Sequence, residues 1–164
     1  MTPNARKSRL ALRGIEVRDD AAHARMLPWT KLAFGLGGVQ ACIATTFGLP
    51  DMLWQMVPVA LLAVILPHHP VEYVYNHAIR HVTGTIPLPP NRAPVRFAFF
   101  MAALTLAAAA ASFEAGLLWL GFLLGTAVVM LSATFVLTSF CVPAAIWAVL
   151  TGNRAGVVCA LRPA

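Results

Sequence analysis

Charge is scarce in this sequence. Charged residues make up 11% of its 164 positions, against roughly a quarter in a soluble domain, whose water-facing surface needs them. With 59% hydrophobic residues and a mean hydropathy of +0.75, the balance excludes an ordinary soluble domain and points to a chain solvated by lipid. Acidic residues are scarcer still, six against twelve Lys and Arg, so the net charge is +6. No basic stretch is interleaved with stacking aromatics, which speaks against nucleic acid as the partner. Anionic lipid at the cytoplasmic face is the plainer counterpart of the excess.

Other absences narrow the chemistry. The three cysteines, Cys42, Cys141 and Cys159, are widely spaced and include no CxxC pair. They imply neither a disulfide framework nor a zinc site. No secretory-signal pattern is visible: six basic residues punctuate the first 27 positions, with no continuous apolar core between them. The first apolar span is therefore expected to remain as an anchor.

What is present is a set of long apolar runs. They divide the chain into a basic cytoplasmic arm over 1–28, a four-span membrane domain over 29–150, and a cytoplasmic tail over 151–164. The spans are expected at about 29–49, 52–66, 97–112 and 117–140, giving an all-α integral membrane four-helix bundle. The second is short for a crossing. Gly48-Leu49-Pro50-Asp51 and Phe113-Glu114-Ala115-Gly116 read as tight turns. Gly35 and Gly38 in the first span, and Gly121 and Gly125 in the fourth, are expected to admit close helix packing. The arm is read as a solvated tail, and Pro143 as the residue that kinks or ends the fourth span.

Charge distribution checks this scheme. With the termini inside, segments 1–28, 67–96 and 151–164, plus Lys31 at a span lip, hold all twelve Lys and Arg. The outer turns hold Asp51 and Glu114 alone. The positive-inside rule is met without exception, so the expected location is a bacterial inner membrane with both termini cytoplasmic. No Asp, Glu, Lys, Arg or His lies deep in a span, which argues against a proton relay or an intramembrane histidine-ligated haem.

The longest polar interruption runs from His68 to Arg96 and holds four of the five histidines. At 100° per residue, Val71, Val74, Tyr75, Ala78, Ile79 and Val82 share one side, so a short amphipathic interfacial helix is expected over about 71–82, between spans 2 and 3. Ile86 to Pro94 carries too many prolines for a helix and reads as an extended return. His68, His69, Tyr73, Asn76 and Arg80 form the expected cytoplasmic cap. His77 and His81 are spaced i, i+4, a weak metal-ligand signal with no carboxylate or cysteine at matching spacing. Their alternative role is contact with lipid phosphates. Cys141 falls at the same membrane level as His68 and His69. It is either a reactive thiol lowered in pKa by a basic neighbour or a small packed hydrophobe.

His68-His69-Pro70, Tyr75-Asn76 with Arg80-His81, Arg96-Phe97 after the Pro-rich return, and Phe140-Cys141 together resemble a bacterial membrane protein family, domain of unknown function 4395. The resemblance covers roughly residues 30–150 and implies a small helical membrane protein without an assigned activity. Relatives in that family carry Cys-x-x-Cys near the end of the last span. Here the stretch reads Cys141-Val142-Pro143-Ala144, a departure that speaks against the dithiol redox role that the resemblance implies.

Three functions are expected from these residues. The leading one is a non-enzymatic structural or accessory partner of a larger membrane complex, with no cofactor. Its partners are the bilayer and other membrane subunits, a homo-oligomer among them. The second is a single-thiol redox or sulfur-handling protein using Cys141 near His68 or His69. The third is an oligomeric transporter or channel for a small uncharged solute.

Overall fold

A computed structural model describes residues 9–15 and 20–152, and for 20–24 the backbone course alone. Its elements are α1 (residues 9–12), α2 (Asp20–Thr30), α3 (Leu32–Thr46), α4 (Pro50–Ile65), α5 (Pro70–Val74), a π-helical turn (Tyr75–Ile79), α6 (Arg80–Thr83), α7 (Ala93–Glu114), α8 (Leu118–Thr138) and α9 (Val142–Leu150). No strand occurs among the described residues. Most of the expected 151–164 tail, with Cys159, lies outside them, as do residues 1–8 and 16–19 of the arm.

Two helices, α7 with 22 residues and α8 with 21, are long and apolar enough to cross a membrane. The chain is therefore read as a membrane protein. α4 and the helix over Pro70–Thr83, bent by 66° at their break, meet the same test as a pair. α3 and α4 have 15 and 16 residues, which at about 1.5 Å each span less than the roughly 30 Å of hydrocarbon.

Several boundaries differ from expectation, each for a local reason. The first apolar run is not one helix: it breaks at Lys31, and α2 ends where α3 begins. α7 begins at Ala93 rather than 97, because Pro94 occupies its first turn, where a missing N–H removes no helical hydrogen bond. α8 stops at Thr138, ahead of Pro143. Its cap, Ser139, adopts the left-handed conformation with φ 61°. Pro143 then starts α9 from within its first turn rather than ending α8.

α7 is the spine. α4, α8 and α9 pack against it, while α3 packs on α8 and touches α4 far less. Small residues allow the close approach: Ala109 and Ala110 of α7 and Ala41 and Ala44 of α3 are fully buried, with Leu53, Leu106, Phe113 and Val128 around them. Gly125 faces Thr45, and Gly121 faces the Phe113 ring; an added Cβ would lie 2.2 Å and 2.8 Å from them. Gly38 sits as tightly under Ser132, at 2.9 Å. Three of the four expected packing glycines thus serve contacts inside this chain. Gly35 meets Val136 only at 3.8 Å.

The α3–α4 and α7–α8 turns adjoin, with Trp54 Nε1 donating to Glu114 Oε1 at 2.8 Å. At the opposite end, Asn91 N donates to Pro67 O at 2.6 Å. Lys31 Nζ donates to Val136 O at 2.6 Å, and Arg9 donates to Thr138 O. Both cations thereby satisfy carbonyls in the last turn of α8, at the negative end of its dipole. Large apolar side chains stay exposed around the bundle, such as Leu137 at 80% and Ile65 at 73%.

The arm departs from the expected solvated tail. Leu10, Leu12 and Arg13 are buried, and so is Met26 of α2, which packs with Tyr75 and Leu88. Gly14, with φ 78°, turns the chain out of α1 against the Arg92 side chain.

Candidate functional site

The polar end of the bundle is built around the start of α5. His69 is its N-cap, and the capping is reciprocal. Val71 N donates to His69 Nδ1 at 3.2 Å, and His69 N donates to Glu72 Oε2 at 2.8 Å. Pro70 in the first turn needs no partner for its nitrogen. An accepting Nδ1 places the ring proton on Nε2. The ring lies stacked on Phe99, centroids 5.1 Å apart, and burial depresses its pKa to about 4. His69 is thus a neutral residue of the cap at neutral pH.

Arg13 enters this end from the arm. Its guanidinium lies 4.8 Å from the Phe135 ring centroid and 5.9 Å from that of Phe34. Burial lowers its pKa, against the attraction of Cys141 and Glu72, yet an arginine does not lose its proton in a protein. A buried cation therefore faces two aromatic rings, a carboxylate and a thiol. Its Nε has no hydrogen-bond partner. Burial pushes the Glu72 carboxyl up, opposed by the His69 N–H and by Arg13.

Burial also pushes the Cys141 thiol up, opposed by Arg13 and the Ala144 N–H. Cys141 is 5% exposed and borders a cavity of about 70 Å³ with Phe34, Ala98 and Phe135. The charged group beside it is Arg13. No hydrogen bond, ring contact or electrostatic interaction joins it to His68 or His69 among the described residues.

The other cap residues form a second group. The His68 ring meets Tyr73 edge-on at 5.4 Å, and Tyr73 stacks on His77 at 6.1 Å. His77 Nδ1 pairs with Tyr73 O at 2.9 Å. Burial lowers the His68 pKa, helped by the charge of His77, and its Nδ1 is buried without a partner. His77 and His81 are exposed, and no group of three or more potential metal ligands occurs among the described residues.

Asn76 pins the Pro-rich return: its Oδ1 accepts from Leu88 N at 2.8 Å, and its Nδ2 donates to Leu88 O at 3.4 Å. Tyr75 OH bonds Thr85 Oγ1. Arg80 is half-buried, and its Nε lacks a partner.

The expected amphipathic helix exists, but its stripe is divided. The π-turn over Tyr75–Ile79 inserts an extra residue, which rotates α6 about the helix axis relative to α5. Tyr75 and Glu72 are buried, while Val74 and Val82 are 59% and 89% exposed. The departure begins in α5, ahead of the π-turn, where the capping bond from His69 N draws Glu72 inward and Val74 faces outward.

A lateral crevice of about 330 Å³ lies where α3 and α4 diverge. Leu36, Met56, Val59 and Phe99 give it apolar walls, and Gln40, Gln55, Ser132 and His69 are among its lining residues. Neither glutamine amide makes a hydrogen bond within the described residues. Arg13, Glu72, Asn91 and Gln55 were not singled out by sequence reasoning. Residues Leu10 to Val17 alternate weakly between apolar and polar, the one sign in the sequence that the arm folds inward.

No protein-family model, curated protein or solved structure matches this chain.

Proposed function

We propose that the protein is a non-enzymatic, four-span accessory subunit of a larger complex in a bacterial inner membrane, with both termini cytoplasmic. In this reading α3 and α4 cross together with α7 and α8, and the α5–α6 segment lies in the inner interface. Membership of the family with domain of unknown function 4395 is part of the same proposal. One observation carries the reading: the polar groups at the two ends fasten the chain to itself, and the lateral surface, the crevice between α3 and α4 apart, is apolar. Arg9 and Lys31 close the end of α8, Asn76 holds the return, and Arg13 seals the arm under the cap. The segregation of basic residues supports the orientation.

An apolar groove of about 330 Å³ along α3 and α8, bordered by Gly35, Val39, Cys42 and Ala133, offers a neighbouring helix a surface with few side-chain obstructions. Purification in mild detergent tests the reading. Co-purifying membrane subunits or a defined homo-oligomer supports it, and a strict monomer that brings nothing with it counts against it.

A single-thiol function is the alternative; the cation of Arg13 beside Cys141 opposes the rise that burial imposes on the thiol without reversing it. A Cys141→Ser variant with unchanged phenotype and unchanged thiol labelling removes it.

A further inference from the structure

The crevice between α3 and α4 combines apolar walls with polar groups from several elements. Gln40 comes from α3, Gln55 from α4, Ser132 from α8, and His69 from the cap. Thr105, Ser112 and Thr134 bond the carbonyl four residues back. Ser132 makes no such bond, so its hydroxyl also stays available. Unpaired amides in a lipid-facing wall are costly, and an interhelical partner is their usual relief. Here α3 and α4 diverge, and each amide is left without one.

Size and chemistry restrict the occupant. About 330 Å³ falls in the range of small-molecule sites, which pair apolar walls with a few polar groups. The rim is open sideways, with Leu36 54% and Val59 39% exposed, so access is from the bilayer. No Asp, Glu, Lys or Arg lines it. A charged headgroup would find no counter-ion there.

We propose that this crevice binds an uncharged lipophile with a carbonyl or hydroxyl head, of the quinone kind. The head lies between the Gln40 and Gln55 amides, which donate and accept, and the apolar body lies along Met56, Val59 and Phe99. Binding is non-covalent, and no electron transfer is required of the protein. The inference rests on the four-crossing reading only for the route of access.

The test uses full-length protein in phosphatidylcholine nanodiscs, titrated with decylubiquinone and read by quenching of tryptophan fluorescence. Trp54 adjoins Gln55 in sequence and supplies a local reporter. Saturable quenching is expected, with a midpoint about tenfold higher in Gln40→Leu/Gln55→Leu, as loss of hydrogen bonds to the head implies. Leu36→Trp, which fills the crevice from its exposed rim, is expected to abolish the saturable phase while the helical content is retained. Quenching linear in probe, or equal in all three proteins, is simple partitioning and overturns the inference. Cysteine-accessibility mapping of α3 and α4 in the same nanodiscs tests the crossings separately, so the two failures are distinguishable.

Discussion

The guanidinium of Arg13 lies 4.8 Å from the centre of the Phe135 ring, which ties the N-terminal arm to the last turns of α8. A cation on an aromatic face gains about 2 kcal/mol when desolvated. That gain is smaller than the cost of burying the charge, and the Glu72 carboxylate adds an attraction of opposite sign. The arm is thus an integral part of the bundle's polar end.

Arg13→Ala is expected to destabilise the protein by about 2 kcal/mol, because it takes the cation off the Phe135 face and away from the buried Glu72 carboxylate. Adding Glu72→Gln to that variant should recover part of the loss. Thermal unfolding in detergent, followed by helical ellipticity, measures both. Equal melting of Arg13→Ala and the parent would contradict the buried-cation role.

The two-way pairing of Asn76 with Leu88 predicts a local effect. Asn76→Ala strands a buried N–H and C=O at a residue that is 3% exposed, at a cost of about 1–3 kcal/mol. Hydrogen exchange should rise over residues 84–92 and stay unchanged in α7 and α8.

Gly125→Ala would place a methyl 2.2 Å from Thr45 Oγ1, and Gly121→Ala one 2.8 Å from Phe113. Overpacking at such contacts costs about 1–3 kcal/mol. Gly35→Ala meets only a side chain at 3.8 Å and should be neutral or stabilising, since alanine favours the helix by up to about 1 kcal/mol. Comparing the three melting temperatures separates internal packing from open surface.

His69 predicts a pH dependence. Its folded pKa of about 4 lies below the ordinary 6.5, so between those values the unfolded chain binds the extra proton. The stability it contributes is full above pH 6.5 and is lost as pH falls towards 4, by about 3 kcal/mol at most. Glu72, whose pKa burial raises, acts oppositely from its ordinary 4.5 upward and blunts the slope. His69→Asn keeps a capping acceptor without the titration. The difference between parent and variant denaturation curves from pH 7 to pH 4 isolates the histidine.

Composition and charge placement determined the membrane class, the all-helical fold and the polar end of the bundle, because hydropathy and segregation are properties of the chain taken in order. Gly48 and Gly116 marked the α3–α4 and α7–α8 turns for the same reason: a positive φ is a local demand. The division of the apolar stripe depended on Glu72 turning inward to cap α5, a partnership that a uniform wheel does not contain. The glycines named a packing surface, but only the folded chain showed that Gly121 and Gly125 receive Phe113 and Thr45 of their own bundle. Arg13 was one of several basic residues in a polar arm. Its burial against Phe34 and Phe135 joins the arm to a ring more than a hundred residues away, and that partnership was decided by the tertiary structure alone.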